Sequence, residues 1–293
     1  MTVTVPRGSV RAFRAVAASA DQLATQAAMA MFERGGNAVD AAIAANAAVA
    51  VTAPHLCGMG GDLFALVRTP DGAVAGLNAT GRAGSGADAE ALRAEGHWTM
   101  PLRHDVRAVT VPGCVDGWVA LHERFGSLDL ATLFGPAISL AADGFPASPL
   151  LVAALDLLDD AARPAFAELR EQASATGARV RRPGAALSLQ AIVAGGRDGF
   201  YGGAFGEGLI ALGGGLFTEA DLARRQADWV PPISTPALGV ELWTMGPNSQ
   251  GYLILGAARL LDAVGVPPDT EDSAWPHLLA EAAAAAAHDR PDF

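Results

Sequence analysis

Glu33-Arg34-Gly35-Gly36-Asn37-Ala38-Val39-Asp40 opens the stretch ERGGNAVDAAIAANAAVAVTAPHLCGMGGDLFALV, residues 33–67, which decides the fold. Gly35 and Gly36 end a preceding helix at a point where a positive φ costs glycine little. That helix is expected to start at Ser19, whose spacing to Gln22 is that of a capping box, with Leu23, Ala27, Ala30 and Met31 on one apolar stripe. Asn37 with Asp40 reads as a second cap, and the Ala-rich helix it starts runs until Pro54 stops it. Small residues on every side predict a buried helix, packed against a sheet and a neighbouring helix. Cys57-Gly58-Met59-Gly60-Gly61-Asp62 then leads into the strand LFALVR, and Thr69-Pro70-Asp71-Gly72 closes a hairpin onto AVAGLN. The loop over residues 55–62 could line a cleft, but its glycines are read as close-packing positions.

Downstream, GCVDGWVALHERFG is a helix ending at Gly126, and PAISLAADG is one ending at Gly144. Residues 149–182 read as a more charged helical lobe within a single domain spanning 1–293. VELWTM is a strand, Pro247-Asn248-Ser249-Gln250-Gly251 turns into the helix YLILGAARLLDA, and HLLAEAAAAAAHD is helical by propensity.

Composition narrows the chemistry. The 293 residues carry 20 basic side chains, all of them Arg, against 31 acidic ones, for a net charge of −11. Without a Lys there is no Walker-type phosphate loop, no pyridoxal-phosphate Schiff base and no kinase strand Lys. Strong acidity without a basic run argues against a nucleic-acid surface, and Arg179, Arg181 and Arg182 read as a solvated loop. Cys57 and Cys114 are too far apart for a CxxC or zinc spacing and suit a reducing compartment. The start, MTVTVPRGSVRAF, has no apolar core of a signal peptide, and residues 41–61 are too short an apolar run to span a bilayer. A cytoplasmic protein is expected, with no membrane or nucleic-acid partner.

Familiar catalytic patterns fail in turn. G-x-S-x-G is absent, because Ser249 has Pro247 before it and Ser85 has Ala83. The six His show no H-E-x-x-H, so no metal is expected, and His122 reads as a packing residue. The Gly58-Met59-Gly60-Gly61 turn lies between a helix and a strand, the reverse of a dinucleotide fingerprint, so no organic cofactor is expected either. Arg82 stands out because it follows a hairpin strand beside Thr80, Gly81 and Gly84. A planar Arg fork beside hydroxyl and N–H donors can receive a carboxylate, or it can pin a loop to a nearby carbonyl.

Residues 33–67 together with VTVPGCVDGWVALHERFG, PAISLAADGFPAS, FYGG, LFTEADLARRQADWVPPIST, WTMGPNSQGYLILGAARLL and HLLAEA, in that order, resemble the γ-glutamyltranspeptidase family of N-terminal-nucleophile hydrolases. The resemblance implies an α+β fold, the αββα sandwich, of which this chain supplies the large-subunit part. It implies a partner as well, a small catalytic subunit starting with the nucleophilic Thr, and it is compatible with a dimer of such heterodimers. That Thr can use its own α-amino group as base, which fits a chain without a triad or a Lys. Asp269-Thr270 precedes the last large-subunit helix and reads as a linker, so no catalytic residue is assigned in this chain, which is expected to be inert alone.

Two departures concern the substrate, taken to be a small amide or peptide. Enzymes acting on γ-glutamyl groups carry R-E-x-A-P after the hairpin, and its Arg binds the substrate α-carboxylate. Here Thr80-Gly81-Arg82-Ala83-Gly84 puts Thr80 at the Arg position and Arg82 two residues on, roughly 7 Å along a strand. Asn248-Ser249-Gln250-Gly251 likewise departs from the family's P-S-S-G-G. Both resemble the acylase or amidohydrolase branch. Arg82, Thr80, Asn248 and Ser249 are therefore the candidate substrate-binding residues, with helix capping the alternative for Ser249. Rival readings are a true γ-glutamyl enzyme and a non-catalytic binding lobe.

Overall fold

The computed structural model describes residues 10–101, 103–288 and 290. Residues 1–9 and 291–293, on which parts of the readings of the two chain ends rest, lie outside the described residues. Among the described residues no helix is long and apolar enough to cross a membrane.

The fold is α+β. Helices α1 (Gln22–Glu33) and α2 (Ala38–Thr52) precede the hairpin β1 (Leu63–Arg68) and β2 (Val74–Ala79). Then come α3 (Ala89–Ala94), α4 (Cys114–Phe125) and α5 (Leu130–Asp143), the short β3 (Phe145–Pro146), α6 (Pro149–Asp156), α7 (Ala167–Gln172) and β4 (Arg179–Val180). The chain continues through α8 (Pro183–Tyr201), α9 (Ala204–Gly213) and α10 (Glu219–Ala223) to β5 (Asp228–Val230), β6 (Ile233–Ala237) and β7 (Val240–Thr244). It finishes with α11 (Gly251–Val264) and α12 (Ala274–Ala286). The region 149–182 is thus only partly helical, since β4 closes it by pairing with β3. Contacts divide the chain into two compact units, residues 1–62 with 80–226, and residues 63–79 with 227–293.

The first unit is built on α2, which packs against α1, α4 and α5. Its alanines let these helices approach closely, and Ala44, Ala47 and Ala48 are fully buried. Within the unit its neighbours are helices. The Asn37–Asp40 cap forms as read: Asn37 Oδ1 accepts from the N–H groups of Val39 and Asp40, and Asp40 accepts from Asn37 N–H. Asp40 also accepts from Ser127 N–H at 3.0 Å, Ser127 Oγ at 2.5 Å and Leu128 N–H at 3.3 Å, tying the α4–α5 connection to α2. Burial alone would raise the Asp40 pKa, but these donors outweigh it and hold the carboxyl below its usual range. Asn46, midway along α2, accepts from Trp118 Nε1 at 2.7 Å, so the largest core residue has its N–H satisfied.

Three local features differ from the sequence expectation. Helix α1 is capped by Asp21, which accepts from Leu23 and Ala24 N–H, while Ser19 bonds back to Asp21. Arg182 is not solvated: half-buried, it donates to the carbonyls of Ala50 at 2.7 Å and Val51 at 3.1 Å, where α2 leaves acceptors unpaired. Gly58 and Gly60 are not crowded, so close packing does not explain them, whereas a Cβ at Gly61 would stand 3.3 Å from the Gly58 carbonyl oxygen. The loop instead caps α4, because Gly61 C=O accepts from Gly113 and Cys114 N–H, both at 3.0 Å.

In the second unit β2 lies between β1 and β5, all antiparallel, and the turn at Gly72 closes as read. Strand β1 alternates strictly, leaving Phe64 and Leu66 exposed on one face. Strands β6 and β7 form a second hairpin, on which α11 packs with α12 beside it. Thr270 lies in the connection between α11 and α12 and is exposed, as a linker residue should be.

Candidate functional site

Thr80 and Arg82 belong to the first unit, in a corner held from several directions. Arg82 bridges Val111, whose N–H donates to the Arg82 carbonyl at 2.8 Å, and Thr110 Oγ1 donates to the Thr80 carbonyl at 3.2 Å. Gly81 makes the corner possible: its φ is +83°, and a Cβ there would stand 1.9 Å from the Val111 carbonyl oxygen. Beyond it, Gly84 lies so close to Leu216 that a Cβ would come within 2.1 Å of that carbonyl. Ser85 donates through N–H and Oγ to Asp221, at 3.0 and 2.8 Å. The Ser85 N–H is the chief cause, with the Ser85 hydroxyl and Thr218 adding to it, of an Asp221 carboxyl held at about 2.

The half-buried guanidinium of Arg82 is tied by its Nε to the carbonyl of Arg225 at 3.2 Å. That carbonyl belongs to a stretch fastened from inside the core by Asp116, in the first turn of α4. Asp116 is fully buried and accepts from Gln226 N–H and, at 3.2 Å, from Arg197 Nε. Arg197 follows Gly196, where α8 breaks with a φ of +57°, and its side chain is only 10% exposed. Its Nη2 donates to the carbonyls of Leu222, at 2.6 Å, and Arg224. Tyr201 stacks under the Arg197 guanidinium, accepts from Asp116 N–H and donates to Pro112 C=O. Burial, then the Asp116 charge, push the phenol well above its usual range.

None of this network was legible in advance as functional. The available signal is a carboxylate among Cys114, Val115 and Trp118, residues that a buried helix start should not mix with an unpaired charge.

Asn248 and Ser249 belong to the second unit. Asn78, on β2, donates through Nδ2 to Asn248 Oδ1 at 2.9 Å. Ser249 Oγ accepts from Gly251 N–H at 2.9 Å, so the hydroxyl does act at the start of α11. Pro247, Asn248, Ser249, Gln250, Tyr252 and Arg290 line a cleft of about 570 Å³. Among the described residues no group of three His, Cys, Asp or Glu is arranged to hold a metal ion. His122 donates through Nε2 to the Leu128 carbonyl at 2.8 Å, in keeping with a packing role. Cys114 is buried, and burial, followed by the charges of Cys57 and Asp62, pushes its thiol far up, out of nucleophilic range.

This α+β arrangement is the fold of the N-terminal-nucleophile hydrolases. The chain superposes on γ-glutamyltranspeptidase from Helicobacter pylori with a TM-score of 0.81 and 26% identity, over 97% of this chain and 85% of that one. Cephalosporin acylase from Bacillus halodurans gives the same TM-score of 0.81 at 31% identity, over 97% of this chain and 57% of that one. The chain belongs to the γ-glutamyltranspeptidase family, whose model matches residues 24–293, and it corresponds to the large-subunit region. An oxamate amidohydrolase proenzyme from Klebsiella pneumoniae subsp. pneumoniae is 34% identical over 281 residues, 91% of this chain and 52% of that protein. An acylase proenzyme from a Pseudomonas species is 32% identical over 289 residues, 92% of this chain and 51% of that protein. The chain thus spans about half the length of these curated relatives.

Proposed function

We propose that the protein to which this chain contributes is an amidohydrolase acting through an acyl-enzyme, and that Arg82 receives a carboxylate on the acyl group. The nucleophile is the N-terminal Thr of a small subunit, cut from the same precursor or encoded separately. Water takes the acyl group, and an amine can do so in a transfer reaction. Phe64 and Leu66, uncovered on β1, are apolar positions that such a subunit's sheet would bury. The free thiols Cys57 and Cys114 suit a cytoplasmic setting.

The observation that carries the reading is the tethered guanidinium. Holding Nε on the Arg225 carbonyl fixes the plane of the fork in a corner that Gly81 makes rigid, and a receptor gains affinity from such preorganisation. Thr80 adds a hydroxyl two residues away in the same segment. Because Thr80 replaces the Arg of γ-glutamyl enzymes, the favoured acyl group is a short one. Its carboxylate sits next to the scissile carbonyl, as in oxamate, which would give oxalate and ammonia with water. The relationship to an oxamate amidohydrolase supports this choice.

The test uses the full-length protein with oxamate, its neutral counterpart oxamide, and γ-glutamyl-p-nitroanilide. Ammonia release from oxamate, strongly preferred over oxamide and lost in Arg82→Ala, is the expected result. Turnover of the γ-glutamyl substrate that Arg82→Ala leaves unchanged, with oxamate inert, would refute it.

A further inference from the structure

We propose that Asp116 is a positioning residue for Arg82, acting across a single peptide group from inside the core. This rests on the reading of Arg82 as the carboxylate receptor. The Arg225 carbonyl that holds Arg82 and the Gln226 N–H that Asp116 accepts belong to the same amide. In a trans peptide the C=O and N–H point in opposite directions within one plane. A carboxylate drawing on the N–H therefore aims the carbonyl the other way, at the guanidinium. The order is Asp116 carboxylate, Gln226 N–H, Arg225 C=O, Arg82 Nε, with an ionised group at each end. Both hydrogen bonds are charge-assisted, and each polarises the amide in the sense that strengthens the other.

The rest of the network keeps this amide from turning. Arg197 holds the carbonyls of Leu222 and Arg224, while Gln226 Nε2 donates to those of Asp221 at 2.9 Å and Arg224 at 2.7 Å. The Arg225 peptide is thus anchored on both flanks. Arg197 also neutralises Asp116 within the core, and Arg225 brings its own Nη1 to 3.8 Å from the same carboxylate. Asp116 touches no solvent, so it acts on substrate only through Arg82. A merely structural ion pair would hold α4 to α8 without caring where the Arg225 carbonyl points. The shared amide is what links it to the receptor.

The experiment compares KM and kcat for oxamate and oxamide in the full-length protein carrying Arg82→Ala, Asp116→Asn or Arg197→Lys. Asp40→Asn, which weakens the α2 cap in the same unit, controls for lost stability. Asp116→Asn keeps an acceptor but removes the charge, so its Arg82 fork is less firmly held. We expect KM for oxamate to rise about tenfold with kcat little changed, the signature of lost ground-state binding, since misplacement by about 1 Å can cost 100-fold. The preference for oxamate over oxamide should fall towards that of Arg82→Ala, and Asp40→Asn should leave it alone. If Asp116→Asn does not fold, Arg197→Lys carries the same test through its lost grip on Leu222 and Arg224. Loss of preference in Arg82→Ala, but in neither Asp116→Asn nor Arg197→Lys, would overturn the positioning role while leaving the receptor intact. An unchanged preference in Arg82→Ala would overturn the receptor reading and this inference with it.

Discussion

Gly81→Ala is the smallest change that tests whether the Arg82 corner is rigid. Two costs add. Alanine at φ +83° lies in the left-handed region, worth about 1–2 kcal/mol against an L-residue. Its Cβ would also stand 1.9 Å from the Val111 carbonyl oxygen and 2.9 Å from Thr110 Oγ1. A tolerable contact needs about 3.4 Å, so the backbone at Thr80–Arg82 or at Val111 must yield by more than an ångström, at roughly 1–3 kcal/mol for an overpacked site. Val111 is fully buried ahead of α4, which leaves the 80–82 segment to move. The expected loss is about 3 kcal/mol, or roughly 5 °C in Tm for a chain of this size. The Arg82–Val111 bridge should open, and KM for oxamate should rise with it. Thermal denaturation gives the first quantity, and amide exchange at Val111, whose N–H donates to Arg82 C=O, gives the second. A Gly81→Ala protein with wild-type Tm and a protected Val111 amide would refute the reasoning.

Other outcomes follow from the same physics. Asp40→Ala strips the acceptor from three N–H groups and a hydroxyl, and should cost about 3 kcal/mol by denaturant titration. Because the folded Asp40 pKa lies below its unfolded value, its stabilisation is complete above about pH 4 and fades as pH falls through the folded value. Asp40→Asn should therefore flatten the acid limb of the stability profile, and an unaltered limb would contradict this. Arg182→Met, which keeps the apolar stem but loses both bonds to the end of α2, should cost about 2 kcal/mol; a loss below about 0.5 would argue against the cap. Iodoacetamide at pH 8 should leave Cys114 unmodified in the folded protein and alkylate Cys57 slowly, with both reacting in urea. Rapid labelling of native Cys114 would show that its burial is wrongly assigned.

What the sequence made legible was local. Asn37 and Asp40 are three residues apart, Gly72 closes onto Thr69, and Gly144 follows α5, so each signal and its partner share one short window. Asp116 could not be read this way, because its partners Arg197, Tyr201 and Gln226 come 81 to 110 positions later. Arg182 misled for the same reason: its acceptors are backbone carbonyls 131 and 132 residues earlier, which no composition rule marks. Ser19 and Asp21 both offer a cap oxygen at a plausible spacing, and only the fold decides between them. Arg82 was legible as unusual, since an Arg beside Thr and Gly after a strand is conspicuous. The Arg225 carbonyl that holds it lies 143 residues away, and no local pattern points to it.

The proposed enzyme divides its chemistry between two polypeptides: this chain is one part, and the nucleophile is the first residue of the other. Intact mass spectrometry with N-terminal sequencing of the natively purified full-length protein tests this division most directly. Two polypeptides are expected, one containing residues 33–67 and a smaller one beginning with Thr, in equal amounts. A single uncleaved polypeptide that nonetheless hydrolyses oxamate, or a second chain beginning with any residue that lacks a nucleophilic side chain, would contradict it.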